Sequence, residues 1–279
     1  MTETTVAATA SNEALPPVSV YIRTLNEADR LSPVLEAAAK VAREIVVIDS
    51  GSKDDTVAIA KAAGARVIEN TWPGNGFQKR VGEEACTYDW LLDLDADEVL
   101  EDDLVAEIKA LFANGEPRET VYQTKLISVP PVGAPWRGFM HAWRNKLYDR
   151  RHHRMPASKT WDQLELPKTT SAHRLAGGIL HYSFRDLTDI SSKYNRSSSA
   201  RASGTGRRSL MQLRLRVWFG FPAYFIKVAF FRGFIRAGTY GMALAMISAH
   251  ARWLRDAKMY EAELFRQNVL AETTLEPQL

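Results

Sequence analysis

An acidic run that follows an apolar segment is the strongest chemical signal in the chain. Residues 90–98 read WLLDLDADE, so Asp95 and Asp97 emerge where a predicted strand ends. Carboxylates are costly to place there unless a cation or a hydrogen-bond donor meets them. Their hard oxygens suit Mg²⁺ or Mn²⁺, ions that are held by few protein ligands and by phosphate oxygens. The alternative interpretation is an acidic turn that caps a helix predicted from Glu101.

Three shorter polar segments also carry candidate chemistry. Residues 48–56 read IDSGSKDDT, where a carboxylate at a strand end suits a base N–H or a ribose hydroxyl; the alternative is turn and capping chemistry alone. Residues 23–27 read RTLNE directly after the first strand. Residues 76–80 read GFQKR, and cations beside the free N–H groups of a helix start suit a pyrophosphate. The sequence has neither a GxxxxGK[ST] loop nor a GxGxxG motif.

The elements that must position these segments alternate between strand and helix. Strands are predicted over 18–23, 44–50, 65–69 and 90–97, and helices over 28–42, 54–63, 77–86 and 101–112. This alternation predicts an α/β fold with a doubly wound, mainly parallel sheet that is covered by helices on both faces. Ligands of such sheets bind at the carboxyl ends of the strands, where three of the polar segments lie.

The alternating pattern breaks from Pro130 to Lys159. The prolines, tryptophans and arginines of this stretch predict a long functional loop or an irregular cap over 130–160. Trp136, Trp143 and Trp161 could be exposed there as contact residues, or they could simply pack in a core. Residues 175–181 then predict a further strand.

Composition limits the classes of function. The chain has 279 residues, of which 46% are hydrophobic and 25% charged, and this excludes a wholly disordered protein. The single cysteine, Cys86, excludes an intrachain disulfide and cysteine-cluster metal sites. The net charge is only +3, so no overall field points to nucleic acid.

Charge is distributed unevenly along the chain. Residues 193–258 hold thirteen Lys and Arg residues against one acid, Asp256, a net charge of +12, so the remainder of the chain carries −9. Aromatic residues interleave with the cations over 210–255, which is typical of helices that lie at a membrane surface. No run reaches the roughly 18 apolar residues that a spanning helix needs. A helical bundle packed on the catalytic body, or a dimer interface that would make the protein an oligomer, is the alternative.

These features predict four regions. Residues 1–16 are a flexible tail, since they lack the basic start and apolar run of a secretory signal. Residues 17–190 are the catalytic domain, 191–260 a basic, aromatic, helical arm that associates with the membrane, and 261–279 a C-terminal tail. The predicted location is therefore cytoplasmic, peripheral (monotopic) on the inner face of the cell membrane.

Together, the order and spacing of four motifs resemble the family 2 glycosyltransferases, which have the GT-A fold. The motifs are TLNE after the first strand, IVVIDSGSKDDT, GFQKR and WLLDLDADE, and they cover residues 17–130. Within the family, the chain resembles the lipopolysaccharide core β-1,4-glucosyltransferase-like group, which also carries basic, aromatic C-terminal helices. The later segments LYDRR, TWDQL and ILHYSFRDL match more loosely.

The resemblance implies a role for each candidate site residue. The nucleotide-sugar site would comprise Thr24, Asn26, Glu27, Asp49, Ser50, Ser52, Lys79 and Asp95. Asp95 and Asp97 would bind a divalent metal, Mn²⁺ or Mg²⁺. His181 would complete the metal or diphosphate shell, unless it is a core histidine. Asp162 stands where relatives carry an acid after a histidine, so it would be the catalytic base, with Glu165 as the alternative.

The activity that the resemblance implies is an inverting, metal-dependent hexosyl transfer in a single displacement. The donor would be a UDP-hexose such as UDP-glucose, and the acceptor a hydroxyl of a lipid-linked or lipopolysaccharide-core saccharide at the membrane face. The loop over 130–160 would then serve the active site and the acceptor, whose sugar could stack on Trp136, Trp143 or Trp161. A nucleotidyltransferase could share the fold and the metal pair, and a catalytically inactive membrane-bound scaffold could retain the fold. No nucleic-acid partner is predicted, because no recognisable binding module accompanies the aromatic and basic residues.

Overall fold

The computed structural model describes residues 15–204 and 208–274, so the predicted tail at 1–16 lies almost wholly outside the described residues. The chain divides into two compact units. The sheet unit comprises the described residues up to Leu126 together with Ala142–His181, and the helical unit comprises Ile127–His141 and the described residues from Tyr182 onward. No helix in the described ranges is both long and apolar enough to cross a membrane.

An eight-stranded sheet has the strand order β3-β2-β1-β4-β7-β6-β8-β5. The strands are β1 (Val18–Thr24), β2 (Glu44–Asp49), β3 (Arg66–Glu69), β4 (Trp90–Asp95), β5 (Glu98–Leu100), β6 (Val121–Ser128), β7 (His141–Asp149) and β8 (His173–His181). Strand β1 pairs in parallel with β2 and β4, and β2 pairs in parallel with β3. Strand β4 pairs antiparallel with β7, and β5 antiparallel with β8. The parallel strands thus end together, on the side where the candidate site residues follow them.

Helices cover both faces of the sheet. The helices of the sheet unit are α1 (Leu31–Ala39), α2 (Thr56–Ala62), α3 (Asn75–Ala85) and α4 (Asp102–Leu111). Alternate residues of β1 enter two separate hydrophobic clusters: Val20 and Ile22 pack in one cluster, and Tyr21 in the other. Because successive side chains of a strand point to opposite faces, both faces are buried. The predicted α/β fold with helices on both faces is confirmed. The sheet is mixed, because its parallel part, β3-β2-β1-β4, is joined by antiparallel pairs of β4 with β7 and of β5 with β8.

The only cysteine of the sequence follows α3 and is buried. Cys86 is 5% exposed and packs in the same cluster as Tyr21. Burial, helped by the negative charge of Glu44, raises the pKa of the Cys86 thiol to about 12. The side chain is therefore a small apolar core residue, not a reactive thiol.

The stretch predicted as an irregular loop at 130–160 contains strand β7, which lies in the interior of the sheet. The strand was not predicted, because residues 143–146 read WRNK and these polar residues interrupt the apolar pattern expected of a central strand. Lys146 is nevertheless buried, and its ammonium pairs with Glu98 at 2.6 Å. At this position of β7 the core contains a buried ion pair in place of an apolar side chain, so the apolar pattern that predicts a strand is missing.

The helical unit has its own core. Its elements are α5 (Leu187–Gly204), α6 (Leu210–Ile226), a π-helical turn (Lys227–Phe231), a 3-10 turn (Phe234–Ala237) and α7 (Gly238–Thr274). Trp136 is 7% exposed and packs against Phe139 and Phe234, with ring centroids 5.3 and 5.5 Å away. Trp136 is therefore a core residue, not the exposed sugar-stacking ring considered above. Helix α7 continues past residue 260, so no break in structure marks the predicted start of the C-terminal tail, and the domain boundaries stay a prediction.

Candidate active site

The turn after β2 is built around one buried carboxylate. Asp49 is 1% exposed, and it accepts hydrogen bonds from the Thr24 hydroxyl (3.0 Å) and from the backbone N–H groups of Gly51 (2.9 Å) and Ser52 (2.8 Å). Burial alone would raise the pKa of Asp49, but these hydrogen bonds, led by those from Ser52, lower it. Gly51 has φ +95°, a conformation that side chains with a Cβ disfavour. Asp49 therefore organises the turn, as the capping alternative predicted, and its contact with a base stays a prediction.

The turn after β1 locks onto the turn after β2. The backbone N–H of Asn26 donates to the Ser52 hydroxyl, and the Asn26 side chain accepts from the backbone N–H of Lys53, both at 2.8 Å. The backbone N–H of Glu27 donates to the Thr56 hydroxyl (2.8 Å). Six residues predicted for the nucleotide site therefore lie together at the carboxyl ends of β1 and β2: Thr24, Asn26, Glu27, Asp49, Ser50 and Ser52.

Arg23 joins the acidic motif to the candidate base. Its Nε lies 2.7 Å from Asp95 Oδ1, and another guanidinium nitrogen lies 2.8 Å from Asp162 Oδ2. Burial opposes ionisation of both carboxyls, but the charges of Lys79 and Arg23 outweigh it and lower the pKa of Asp95 and of Asp162. Both acids are consequently ionised at neutral pH. The sequence placed Arg23 in a motif but assigned it no role.

Two buried lysines form ion pairs with the acidic motif. Lys79 is 1% exposed, and its Nζ lies 2.7 Å from Asp93 Oδ2 and 3.4 Å from Asp95 Oδ1. Lys146 pairs with Glu98 and lies 3.6 Å from Asp93. The structure thus places the ammonium of Lys79 against Asp95, and its predicted approach to the nucleotide phosphates stays a prediction. Lys146 could not be found from the sequence, because its strand was not recognised.

Asp97 and His181 meet through strand pairing. Glu98 of β5 pairs with His181 of β8, which brings His181 Nε2 to 3.5 Å from Asp97 Oδ2. Burial lowers the pKa of His181, but the hydrogen bond and charge of Asp97 raise it above its ordinary value overall. Arg30 also lies 3.8 Å from Asp97. His181 therefore lies beside the acidic motif, and its role in a metal or diphosphate shell stays a prediction.

The donor set of this site fits a divalent cation that takes further ligands from a substrate. Within the described part of the chain, no group of three His, Cys, Asp or Glu side chains could by itself hold a metal ion. Mg²⁺-type sites in nucleotide-dependent enzymes, however, use only one or two carboxylates and complete the shell with phosphate oxygens and water. Asp95 and Asp97 supply two carboxylates of this kind, and Asp95 shares its oxygens with Arg23 and Lys79.

The two candidate bases occupy different positions. Asp162 lies in the cluster, where it pairs with Arg23 and accepts a hydrogen bond from Gln163 (3.2 Å). Glu165 is exposed, and within the ranges that the structure covers it forms no ion pair with the cluster. The segment before Asp162 is held by α3, because the N–H groups of Asn75 and Gly76 donate to the carbonyls of Lys159 (3.0 Å) and Ser158 (2.9 Å).

The sequence of this chain is similar to those of known proteins. The profile of the family described as "Glycosyl transferase family 2" matches residues 19–166. The chain belongs to glycosyl transferase family 2. An uncharacterized glycosyltransferase of Rickettsia felis is 33% identical over 92% of this chain and 94% of its own length. The lipopolysaccharide core biosynthesis glycosyltransferase LpsC of Rhizobium meliloti is 26% identical over 88% of this chain and 92% of its own length.

Solved structures resemble parts of this family 2 glycosyltransferase. Glucosyl-3-phosphoglycerate synthase of Mycobacterium tuberculosis, crystallised with Mn²⁺, UDP and glucosyl-3-phosphoglycerate, is 26% identical with a TM-score of 0.31 over 41% of this chain and 44% of that chain. The TarS fragment 1–349 of S. aureus is 14% identical with a TM-score of 0.44 over 91% of this chain and 92% of that chain. The match confirms the predicted family, and with it the prediction of a glycosyltransferase.

Proposed function

We propose that this family 2 glycosyltransferase moves a hexosyl group from a UDP-hexose, such as UDP-glucose, to a hydroxyl of a lipid-linked or lipopolysaccharide-core saccharide. The observation that carries the proposal is the double ion pair of Arg23, which gathers Asp95 and the candidate base Asp162 at one edge of the sheet. The saccharide class is supported by the similarity to LpsC, whose name places it in lipopolysaccharide core biosynthesis.

The nucleotide would bind against the paired turns after β1 and β2. These turns present Asn26, Ser50 and Ser52 beside the Asp49 carboxylate. Asp49 accepts hydrogen bonds from Gly51 and Ser52 of its own turn, and these bonds fix the conformation of the turn. The neighbouring polar groups then provide donors and acceptors for a base and a ribose.

The diphosphate would lie over Asp95 and Asp97. When a divalent cation is bound by these carboxylates, the chemistry that it supplies is stabilisation of negative charge on the departing diphosphate. Lys79 and Lys146 are already committed to the buried acids of this region. These lysines would hold the acidic motif in position. Asp95 could then exchange its ion pair with Arg23 for another partner and stay in the site.

Asp162 would take the proton of the attacking hydroxyl. The acceptor oxygen attacks the anomeric carbon on the face opposite the diphosphate; the new glycosidic bond forms as the bond to the diphosphate breaks, and the configuration inverts. Asp162 is held in the ionised form that a general base requires. Displacement of Arg23 from Asp162 would raise the basicity of the carboxylate, since the charges of Lys79 and Arg23 together keep its pKa low against the effect of burial.

The helical unit would bring the enzyme to its acceptor at the inner face of the membrane. Trp218 is 79% exposed and Phe231 is 84% exposed. Large apolar side chains at such exposure suit insertion into the headgroup region. Exposed cations on the same elements, such as Arg214 and Lys227, would meet anionic phosphates.

Thermal shift of the purified full chain, across UDP, GDP, CMP and dTDP sugars with and without Mn²⁺ or Mg²⁺, tests the proposal. A ligand that binds the native state raises the melting temperature by mass action. We expect a metal-dependent shift with a UDP-hexose, retained in the exposed control Asp103→Asn and lost in Asp97→Asn. A folded wild-type chain that responds to no nucleotide sugar would contradict the proposal and favour the inactive scaffold.

Product analysis separates transfer from mere binding. Incubation of the full chain with a UDP-hexose and extracted lipid-linked saccharide should release UDP and extend the saccharide by one β-linked sugar. Release of pyrophosphate from a nucleoside triphosphate, or an α-linked product from an α-linked donor, would contradict the assigned reaction.

A further inference from the structure

The helical unit contains an open polar cavity, which is lined by residues that the proposed reaction does not use. Its volume is about 270 Å³. It is lined from α5, from the end of the π-helical turn and from α7, and its polar lining includes Ser197, Arg201, Arg232, Ser248, Arg252 and Arg255. We call this cavity the arginine pocket. A water molecule takes up about 30 Å³ of liquid, so the cavity holds a group several times that size.

Among the residues that the structure describes, positive charge in the lining of the arginine pocket exceeds negative charge. None of the described residues that line the pocket is acidic. Arg255 pairs with Asp256 at 2.7 Å, but that fully buried carboxylate also pairs with Arg208 (3.1 Å) and Arg216 (3.2 Å). One negative charge is thus shared among three guanidinium groups, two of which lie outside the pocket lining.

Arg252 experiences this excess directly. Burial, together with the charges of Arg232 and Arg255, holds the pKa of Arg252 below its ordinary value. Its guanidinium lies 6.0 Å from the Tyr224 ring centroid, a contact that offsets only part of such repulsion. Folding therefore brings like charges together around an open cavity, which costs stability unless an anion enters.

The pocket also contains an unused hydroxyl. Ser248 Oγ is buried, and within the described part of the chain it has no hydrogen-bond partner. Buried polar groups are almost always paired, so an isolated one beside a cavity indicates a partner that binds there. A hydroxyl among guanidinium groups provides a donor for an anionic oxygen.

We infer that the arginine pocket binds a phosphate group, which is carried either by a lipid headgroup or by a free sugar phosphate. Guanidinium groups present planar pairs of N–H donors that match phosphate oxygens. A tetrahedral phosphate has enough oxygens to accept hydrogen bonds from Arg232, Arg252, Arg255 and the Ser248 hydroxyl, all of which line the pocket. The site lies wholly within the helical unit, so it is additional to the acidic cluster, and it stands whether or not the proposed donor is correct.

Inorganic phosphate is the probe for the first experiment. The melting temperature of the full chain in detergent is measured as sodium phosphate replaces sodium chloride at constant ionic strength. We expect a saturable rise, with a midpoint that moves up by about tenfold or more in the double variant Arg232→Gln/Arg252→Gln, because charged hydrogen bonds are lost. The matched control Arg214→Gln/Arg236→Gln removes two exposed cations outside the pocket and should keep the wild-type midpoint.

An equal midpoint in the two double variants would overturn the inference, as would a wild-type chain that does not respond to phosphate. Removal of mutually repelling charges should not lower the melting temperature of Arg232→Gln/Arg252→Gln in phosphate-free buffer. If that variant nevertheless fails to fold, Arg252→Lys keeps the charge and loses the planar donor pair. A wild-type phosphate response in Arg252→Lys would then count against the pocket.

Two further measurements identify the source of the phosphate. Sedimentation with vesicles that contain phosphatidic acid in phosphatidylcholine tests the lipid headgroup; a lipid site predicts weaker binding of Arg232→Gln/Arg252→Gln than of Arg214→Gln/Arg236→Gln. Glucose 6-phosphate tests the free ester, which predicts a midpoint below that of inorganic phosphate and equal sedimentation of the two variants. A pocket variant that matches its control in both measurements would overturn the inference.

Discussion

At the scale of single residues, Arg23 holds two acids of the candidate site together. Its side chain contacts Asp95 and Asp162, two residues that are far apart in the sequence. The same guanidinium lies 5.9 Å from the Trp72 ring centroid, which restricts its orientation. Because Arg23 follows directly from the buried part of β1, the sheet fixes where the two acids meet.

The catalytic base can be tested by isosteric amides at the two candidates. Asp162→Asn should lower kcat by about 10²–10⁴, the usual contribution of a general base, with little change in donor binding. Glu165→Gln, in an exposed side chain, should leave kcat within about twofold of wild type. Steady-state kinetics with a saturating UDP-hexose distinguish the two. A larger loss in Glu165→Gln would reverse the assignment.

Sequence reasoning located most of the polar residues at this edge of the sheet but not the network that joins them. Thr24, Asn26 and Asp49 follow strands, and strand ends can be predicted from apolar runs. The partners of Arg23 depend on the 156–162 segment, whose path no local pattern reveals. Trp136 could not be assigned from the sequence either, because a tryptophan can lie in a core or on a surface and only the structure shows that this one is buried.

At the scale of elements, α3 and the segment before Asp162 are in close backbone contact. A Cβ atom on Gly76 would collide with the carbonyl oxygens of Pro156 and Trp161. Gly76→Ala should therefore lower the free energy of unfolding by about 2–3 kcal/mol and reduce kcat by displacing Asp162. Gly138→Ala is the matched control, because a Cβ there meets open space. Urea denaturation of both variants checks the prediction; equal stability would contradict it.

The start of β2 should show a specific acid sensitivity. Glu44 accepts hydrogen bonds from Ser19 (2.5 Å), from Thr87 and from Arg66; although burial opposes them, they lower its pKa from 4.5 to about 2. A depressed pKa adds stability above the unfolded-state value and loses it as pH falls through the folded-state value. The stabilisation is therefore complete above 4.5 and lost by about 2.

Comparison of wild type with Glu44→Gln measures this contribution. The variant should be about 1–2 kcal/mol less stable at pH 7, a value reduced for solvent screening, and the difference should shrink as pH falls toward 2. The exposed Glu36→Gln is the control and should match wild type at every pH. A difference that stayed constant with pH would show that the hydrogen bonds of Glu44 do not depend on its charge.

Four strands and four helices before residue 113 could be predicted because each has an ordinary pattern, whereas β5 and β6 were not predicted. Strands β1, β2 and β4 are apolar runs, and their helices carry apolar stripes. Strand β7 could not, since a central strand with a buried Lys146 looks polar until its partners Glu98 and Asp93 are known. Those partners lie in other strands, so the information is tertiary.

At the scale of the whole molecule, the uneven charge predicts a salt-sensitive membrane interaction. Residues 193–258 carry a net +12, and the same region exposes Trp218 and Phe231. Binding to anionic vesicles should weaken as salt screens the cations, and Trp218→Ser/Phe231→Ser should weaken it by about tenfold or more at any salt concentration. Vesicle sedimentation measures both effects.

The matched control for this experiment lies in the sheet unit. Leu25→Ser/Trp72→Ser also removes two exposed apolar side chains, which are 47% and 45% exposed. It should bind vesicles as wild type does. If the two double variants bound equally well, the exposed rings of the helical unit would have no special part in membrane association.

Because Cys86 is buried, a cysteine introduced on the surface can be labelled selectively in the native chain. A thiol that is 5% exposed, with its pKa raised to about 12, reacts slowly with maleimides at neutral pH. A second cysteine, introduced by Trp218→Cys or Thr239→Cys, would then be the dominant reactive group without removal of the first. An environment-sensitive fluorophore attached there would report, in real time, when that part of the surface leaves water.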